Sequence, residues 1–382
     1  MSALSGRWLI GLYAVLLVVG CSTPEPVEPP TPLTAVDTQI NVSRSWSVSV
    51  GDKDKRGLTR FVPLVLDSTI YAASIDGKVV AVDANSGAVR WRRNLNRSLA
   101  SGVGGDKDSI YVADRDGTVF ALSPEDGKTR WEYAMSSEVL APVAAAFGAV
   151  VVRSADGRIA GLNAADGTER WSNTYTPPAL TVHGYGSPRM LDNGVLLGLD
   201  DGKIIALSLD AGRVLWESVV SYPSGRSEVE RLVDVDAEIL VDRSNIYAAN
   251  YQGAMVKLEP VRGRSLWSAE LSTTVGFAQL DNSLFVADDR DRVVAISKED
   301  GSTLWEQEAL IGRRLTRPAI SAGVVLVADF EGYVHVLSST DGSLQGRLRA
   351  GSEQILELVP FDENTVVMQT RDGRLRSIRV GS

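Results

Sequence analysis

The chain has 382 residues, 44% of them hydrophobic and 23% charged, a composition ordinary for a folded body of two or three domains at about 150 residues each. Asp and Glu (48) outnumber Lys and Arg (39) for a net charge of −9, and the basic residues are scattered, which excludes a generic nucleic-acid binder. One cysteine (Cys21) and two histidines (His183 and His335) exclude an internal disulfide framework and a Cys/His zinc cluster.

In chain order, residues 1–20 read as a signal peptide. Arg7 supplies the positive start, and Trp8 to Val19 is an uncharged run of twelve residues. A helix needs about 20 residues to cross a bilayer, so the run is too short to span one. It ends Leu17-Val18-Val19-Gly20-Cys21, which resembles a lipobox and marks Cys21 for lipidation. Ser22 follows, where resemblance to Gram-negative lipoproteins implies export to the outer membrane, since Asp is the usual retention signal there. Residues 22–40 hold five prolines, three acids and no Lys or Arg. The expectation is that 21–40 forms a lipidated, semi-rigid tether reaching about 60 Å at about 3.1 Å per residue.

From residue 70 the chain repeats itself. Taking the first turn glycine of each unit as zero, the series runs Gly77, Gly117, Gly157, Gly202, Gly253, Asp291, Gly332 and Gly373, with spacings of 40, 40, 45, 51, 38, 41 and 41. A second glycine follows ten residues later in seven units, and four residues beyond it stands Trp91, Trp131, Trp171, Trp216, Trp267 or Trp305, with Gly346 breaking the pattern. Each Asp-Gly joins two β-rich runs as a hairpin, the Trp marks a further strand, and the segment before each unit supplies a fourth.

The middle strand is apolar on both faces, one of them trimmed to a small residue, as in Val79-Val80-Ala81-Val82. Such a strand must be covered on both sides. Radially stacked small sheets meet that demand, so 41–382 is predicted to be all-β: an eight-bladed β-propeller of four-stranded antiparallel blades. The chain stops nine residues after Gly373, before another Trp strand could begin. The missing strand is predicted at 41–50, where Ser45-Trp46 echoes Arg90-Trp91, with Trp46 buried in the last blade. The N-terminal strand thereby closes the ring and removes two open edges.

Catalytic constellations are sparse. The glycines lack phosphate-loop spacing and read as turn residues. His335 falls at a middle-strand position filled elsewhere by Val, Phe or Ile and reads as a residue of the blade seam. Most carboxylates, such as Asp76, Asp116 and Asp126, sit in turns where they serve the backbone. No catalytic set, metal site or cofactor is predicted.

The unit D-G-x-V-x-A-L-x-A-x-x-G-x-x-x-W resembles the repeat of the pyrroloquinoline-quinone enzymes, a motif shared by quinoprotein dehydrogenases and non-catalytic propellers. The dehydrogenases carry adjacent cysteines and a calcium-bound quinone site, from which a chain with one cysteine departs. A periplasmic quinoprotein-like enzyme using the central channel is the alternative reading. Lipobox, acidic Pro-rich linker, eight compact units and closure by the N-terminus together resemble the BamB family of outer-membrane assembly lipoproteins, over essentially the whole chain. The resemblance implies a lipid-anchored scaffold facing the periplasm, held to the periplasmic domains of BamA within the BAM complex, with unfolded barrel clients as further partners.

The two long spacings flank the fourth unit, and insertions in repeats often map to a binding face. The resemblance implies BamA contacts at an aliphatic-x-aliphatic-basic stretch and an Asp-x-Asp pair. The matching positions are Leu180, Val182 and His183, then Asp234 and Asp236, with His183 where the family pattern has arginine. Segments 174–188 and 220–238 are expected side by side, Leu180 and Val182 as an aliphatic anchor, Asp234 and Asp236 as an exposed negative rim.

Overall fold

The computed structural model describes residues 29–55, 59–182, 186–242 and 244–381. The signal peptide (1–20), Cys21 and His183 lie outside the described residues. All regular elements described are strands, grouped into eight four-stranded antiparallel sheets. Blade 1 shows the plan: Leu64–Leu66 innermost, then Thr69–Ala73, Lys78–Asp83 and Val89–Asn94 outermost. Blades 2 to 7 repeat it, ending in the outer strands Thr129–Ala134, Glu169–Thr174, Val214–Val219, Ser265–Glu270, Thr303–Gln307 and Leu344–Arg349. The second and third strands are buried on both faces, as the apolar pattern requires.

Blade 8 is built from both ends of the chain. Asn41–Ser49 pairs antiparallel with Arg374–Gly381, setting Val42 opposite Val380 and Ser49 opposite Arg374. The closing strand is therefore where the sequence puts it. Trp46, expected to be buried, is only half-buried; it stands on the outer strand and reaches into the next blade.

That reach is the rule of the fold. Trp46, Trp91, Trp131, Trp171, Trp216, Trp267 and Trp305 each donate an indole N–H to a backbone carbonyl in the following blade, at 2.8–3.2 Å. Each ring covers the second turn glycine of that blade. A Cβ on Gly167, whose φ is +74°, would lie 2.6 Å from the Trp131 ring. Glycine is thus needed twice over, for the left-handed turn and for room. The trimmed face has the same cause: Ala81, Ala121, Gly161, Ala206 and Ala295 lie directly opposite the tryptophans across the ladder.

Blade 7 reverses both choices, with Gly346 opposite Val336. The N-terminal segment takes the indole's place: a Cβ on Gly346 would meet the Ile40 carbonyl at 2.4 Å. This corrects the free tether reaching residue 40. From Thr31 the segment is strapped along blades 6 and 7, because its backbone groups and its few apolar side chains find partners there. Thr31 N–H donates to Ile311 O, Gln39 and Ile40 N–H donate to Gln345 O, and Leu33 packs with Leu310 and Leu315. Arg313 and Arg347 donate to the carbonyls of Thr31 and Thr34.

His335 sits fully buried at the base of this strap, in the seam its sequence position indicated. Its Nε2 faces Asp329 Oδ2 at 3.0 Å, and Arg347 Nε donates to its Nδ1 at 3.1 Å. An acceptor at Nδ1 fixes the neutral tautomer with the proton on Nε2. Burial accordingly pushes the His335 pKa down, against the pull of Asp329.

Candidate functional site

The two insertions meet. Segment 174–188 links blade 3 to blade 4, and 220–238 links blade 4 to blade 5. Val182 N–H donates to Asp234 Oδ2 at 2.5 Å, which ties one insertion to the other. Leu180 is 42% exposed and Val182 half-buried. Tyr222 and Val229, on the second insertion, are large exposed apolar side chains that the sequence reading did not single out.

Asp234 and Asp236 do not form an exposed rim. Asp234 is fully buried and Asp236 is 4% exposed. The cause lies in their own segment: Val233, Val235 and Ala237 are buried as well, so 233–237 is pressed between blades 4 and 5 rather than lying on top. Val235 N–H donates to Leu199 O, and Tyr251 N–H to Asp234 O. Gly198 makes the room, since a Cβ there would meet the Val235 carbonyl at 2.1 Å.

Two further residues complete the cluster. Arg153 of blade 3 pairs with Asp200 of blade 4 at 2.5 Å and donates to Gly198 O at 2.7 Å. Carboxylate oxygens of Asp200, Asp234 and Asp236 all lie within 4.8 Å of one another. The register held a signal for Arg153: counted from the turn glycine, it stands where blades 1, 2, 5, 6 and 7 have Ala73, Ala113, Ala249, Ala287 and Ala328.

The electrostatics follow from burial. Burial, then the charges of Asp234 and Asp200, push Asp236 up to about 7 against the pull of Arg153. Burial pushes Asp234 up to about 6, opposed first by the Val182 N–H. Between roughly pH 4 and pH 7 the folded chain therefore keeps a proton that the unfolded chain has lost, and stability falls as pH rises through that window. Asp236→Asn, which carries no charge to bury, is expected to raise the thermal midpoint near pH 8 and leave it unchanged near pH 4 in chelator-containing buffer. At about 1.4 kcal/mol per pKa unit, the gain is on the order of 2–4 kcal/mol. Thermal melts at the two pH values read it directly.

Asp236 also lines a central cavity of about 760 Å³. On its wall Glu357 pairs with Arg60 and Arg317, and Arg317 pairs with Glu238. These channel charges are committed to one another. With a single cysteine, the chain lacks the adjacent-cysteine pair expected of the quinoprotein dehydrogenases.

The family model described as outer membrane protein assembly factor BamB matches residues 75–307. An outer membrane protein assembly factor BamB of Pseudomonas aeruginosa is 47% identical over 345 residues, covering 90% of this chain and 91% of the relative. The chain belongs to the BamB family. The BamB of Alkalilimnicola ehrlichii is 46% identical over 374 residues, 98% of this chain and 97% of its own. The crystal structure of BamB from Moraxella catarrhalis superposes with a TM-score of 0.82 at 27% identity, covering 89% of this chain and all of that one. A quinohemoprotein alcohol dehydrogenase from Comamonas testosteroni gives 0.70 at 13% identity, covering 90% of this chain and 78% of its own, and shares the fold alone.

Proposed function

We propose that this BamB-family chain is a non-catalytic outer-membrane assembly lipoprotein, anchored through Cys21 and facing the periplasm, that holds BamA on its paired insertions. Leu180 and Val182 supply the aliphatic contact, and His183 the basic position, charged only when protonated. Asp234 and Asp236 act from beneath the surface. The observation that carries the reading is the Val182 N–H bond to Asp234, which joins both family-matched segments into one unit. The internally paired channel charges support a scaffold over a channel enzyme.

Binding kinetics with the BamA periplasmic fragment test it. Leu180→Ala is expected to speed dissociation roughly thirtyfold, the effect of losing about 2 kcal/mol at an anchor. Asp234→Ala frees the Val182 segment and is expected to speed dissociation equally at low and high salt. An exposed rim charge would instead slow association in a salt-dependent way. Wild-type kinetics in both folded variants would move the interface elsewhere on the ring.

A further inference from the structure

We infer that Asp200, Asp234 and Asp236 form a binding site for one divalent cation of the calcium class, lodged between blades 3, 4 and 5. The clustering of three carboxylates is the first observation. The second is independent of it: both carboxylate oxygens of Asp236, 4% exposed, lack any hydrogen-bond partner among the described residues, as does Oδ1 of Asp234. Buried carboxylates normally spend their lone pairs on donors, and orphaned oxygens here face two more acids.

Charge and size select the ligand. Three carboxylates against the Arg153 guanidinium leave two negative charges to be balanced when all are ionised. A divalent ion balances them. The orphaned oxygens are sealed from a water-sized sphere, so a partner's guanidinium or ammonium does not reach them without displacing the 233–237 segment. A bare ion does fit among them. The three side chains offer hard oxygen donors, which suit calcium or magnesium. Magnesium keeps most of its waters and is seldom held in an all-protein cage, whereas calcium accepts irregular oxygen sets. Asp236 borders both the central cavity and a second cavity of about 400 Å³, so an ion approaches from either side and sheds its water before it reaches the sealed oxygens. The ion also fixes Asp234, and through it the Val182 backbone.

The site is read on the purified full-length chain without BamA, so its failure and that of the partner reading are separate results. The chain is stripped with chelator and titrated with calcium chloride by calorimetry. One calcium per chain is expected, binding saturably by millimolar concentration, the range of extracellular calcium modules, with release of protons and a rise in thermal midpoint. Asp236→Asn is expected to weaken binding by roughly a hundredfold, while its calcium-free midpoint is no lower than that of the wild type. Where that variant does not fold, Asp200→Asn and the wild-type stoichiometry carry the test. Absence of saturable calcium binding in the wild type, or full binding by a folded Asp236→Asn, overturns the site.

Discussion

Deleting residues 41–49 is expected to remove the cooperative thermal transition of the propeller or to lower its midpoint drastically. The deletion strips the outer strand from Arg374–Gly381 along its whole length and leaves that strand's edge open. It removes Val42, buried with Val380 in the last core, and the Trp46 latch onto Ala84 and Gly87 of blade 1. A fully buried Trp costs about 3–5 kcal/mol when truncated, so half-buried Trp46 accounts for the low end of that range. With the ladder and Val42 added, the loss reaches at least about 5 kcal/mol, the scale of an entire domain's stability. Circular dichroism melts are the measurement, with Trp46→Ala as the milder comparison. An unchanged midpoint in the deletion variant would show that closure by the N-terminus is dispensable.

Asp329→Ala is expected to cost about 3–5 kcal/mol, the usual penalty for breaking a buried ion pair from one side. Asp329 is fully buried and accepts from Arg313, from His335 and from the backbone N–H groups of Glu331 and Tyr333. Removing it strands the 3%-exposed side chain of Arg313 with Glu331 as its remaining acidic partner, and takes away the hydrogen-bond acceptor that orients His335. Arg313 and Arg347 hold the strap, so the N-terminal segment is expected to loosen together with the blade. Limited proteolysis reads the strap, and a thermal melt reads the core. Rapid cleavage near residues 31–40 without a fall in midpoint would separate the two roles.

Much of the architecture was legible because it repeats. A turn glycine, a small middle-strand residue and a tryptophan recur at fixed offsets, and each offset corresponds to one contact of the Trp latch. Even the exception at Gly346 was visible, though its cause was not: the Ile40 carbonyl that fills the space lies three hundred residues away in the chain. The strap was misjudged because proline and acid content describes what a segment can bury by itself. It says nothing of carbonyls offered by a distant blade.

The site was half legible. Spacing located both insertions, and family-matched residues within them do meet. Asp234-Val235-Asp236 alternates like a surface strand, yet every member is buried, because the segment wedges between blades whose Gly198 has cleared the way. Arg153 and Asp200 were passed over for a related reason. Arg153 departs from the alanine that five other blades carry at its position, but only the seam between blades gives it and Asp200 a common purpose.

The strap also determines where mechanical load enters the ring. Covalent continuity runs through every blade-to-blade junction except that of blade 8, where Asn41–Ser49 is held by hydrogen bonds and packing. A pull on the N-terminus does not reach that strand first. It is taken up at Thr31, Thr34 and Gln39–Ile40, whose bonds to blades 6 and 7 must yield before tension passes to Asn41. The ring's one non-covalent joint is thus relieved of strain by the segment ahead of it, as a cable clamp protects a soldered contact.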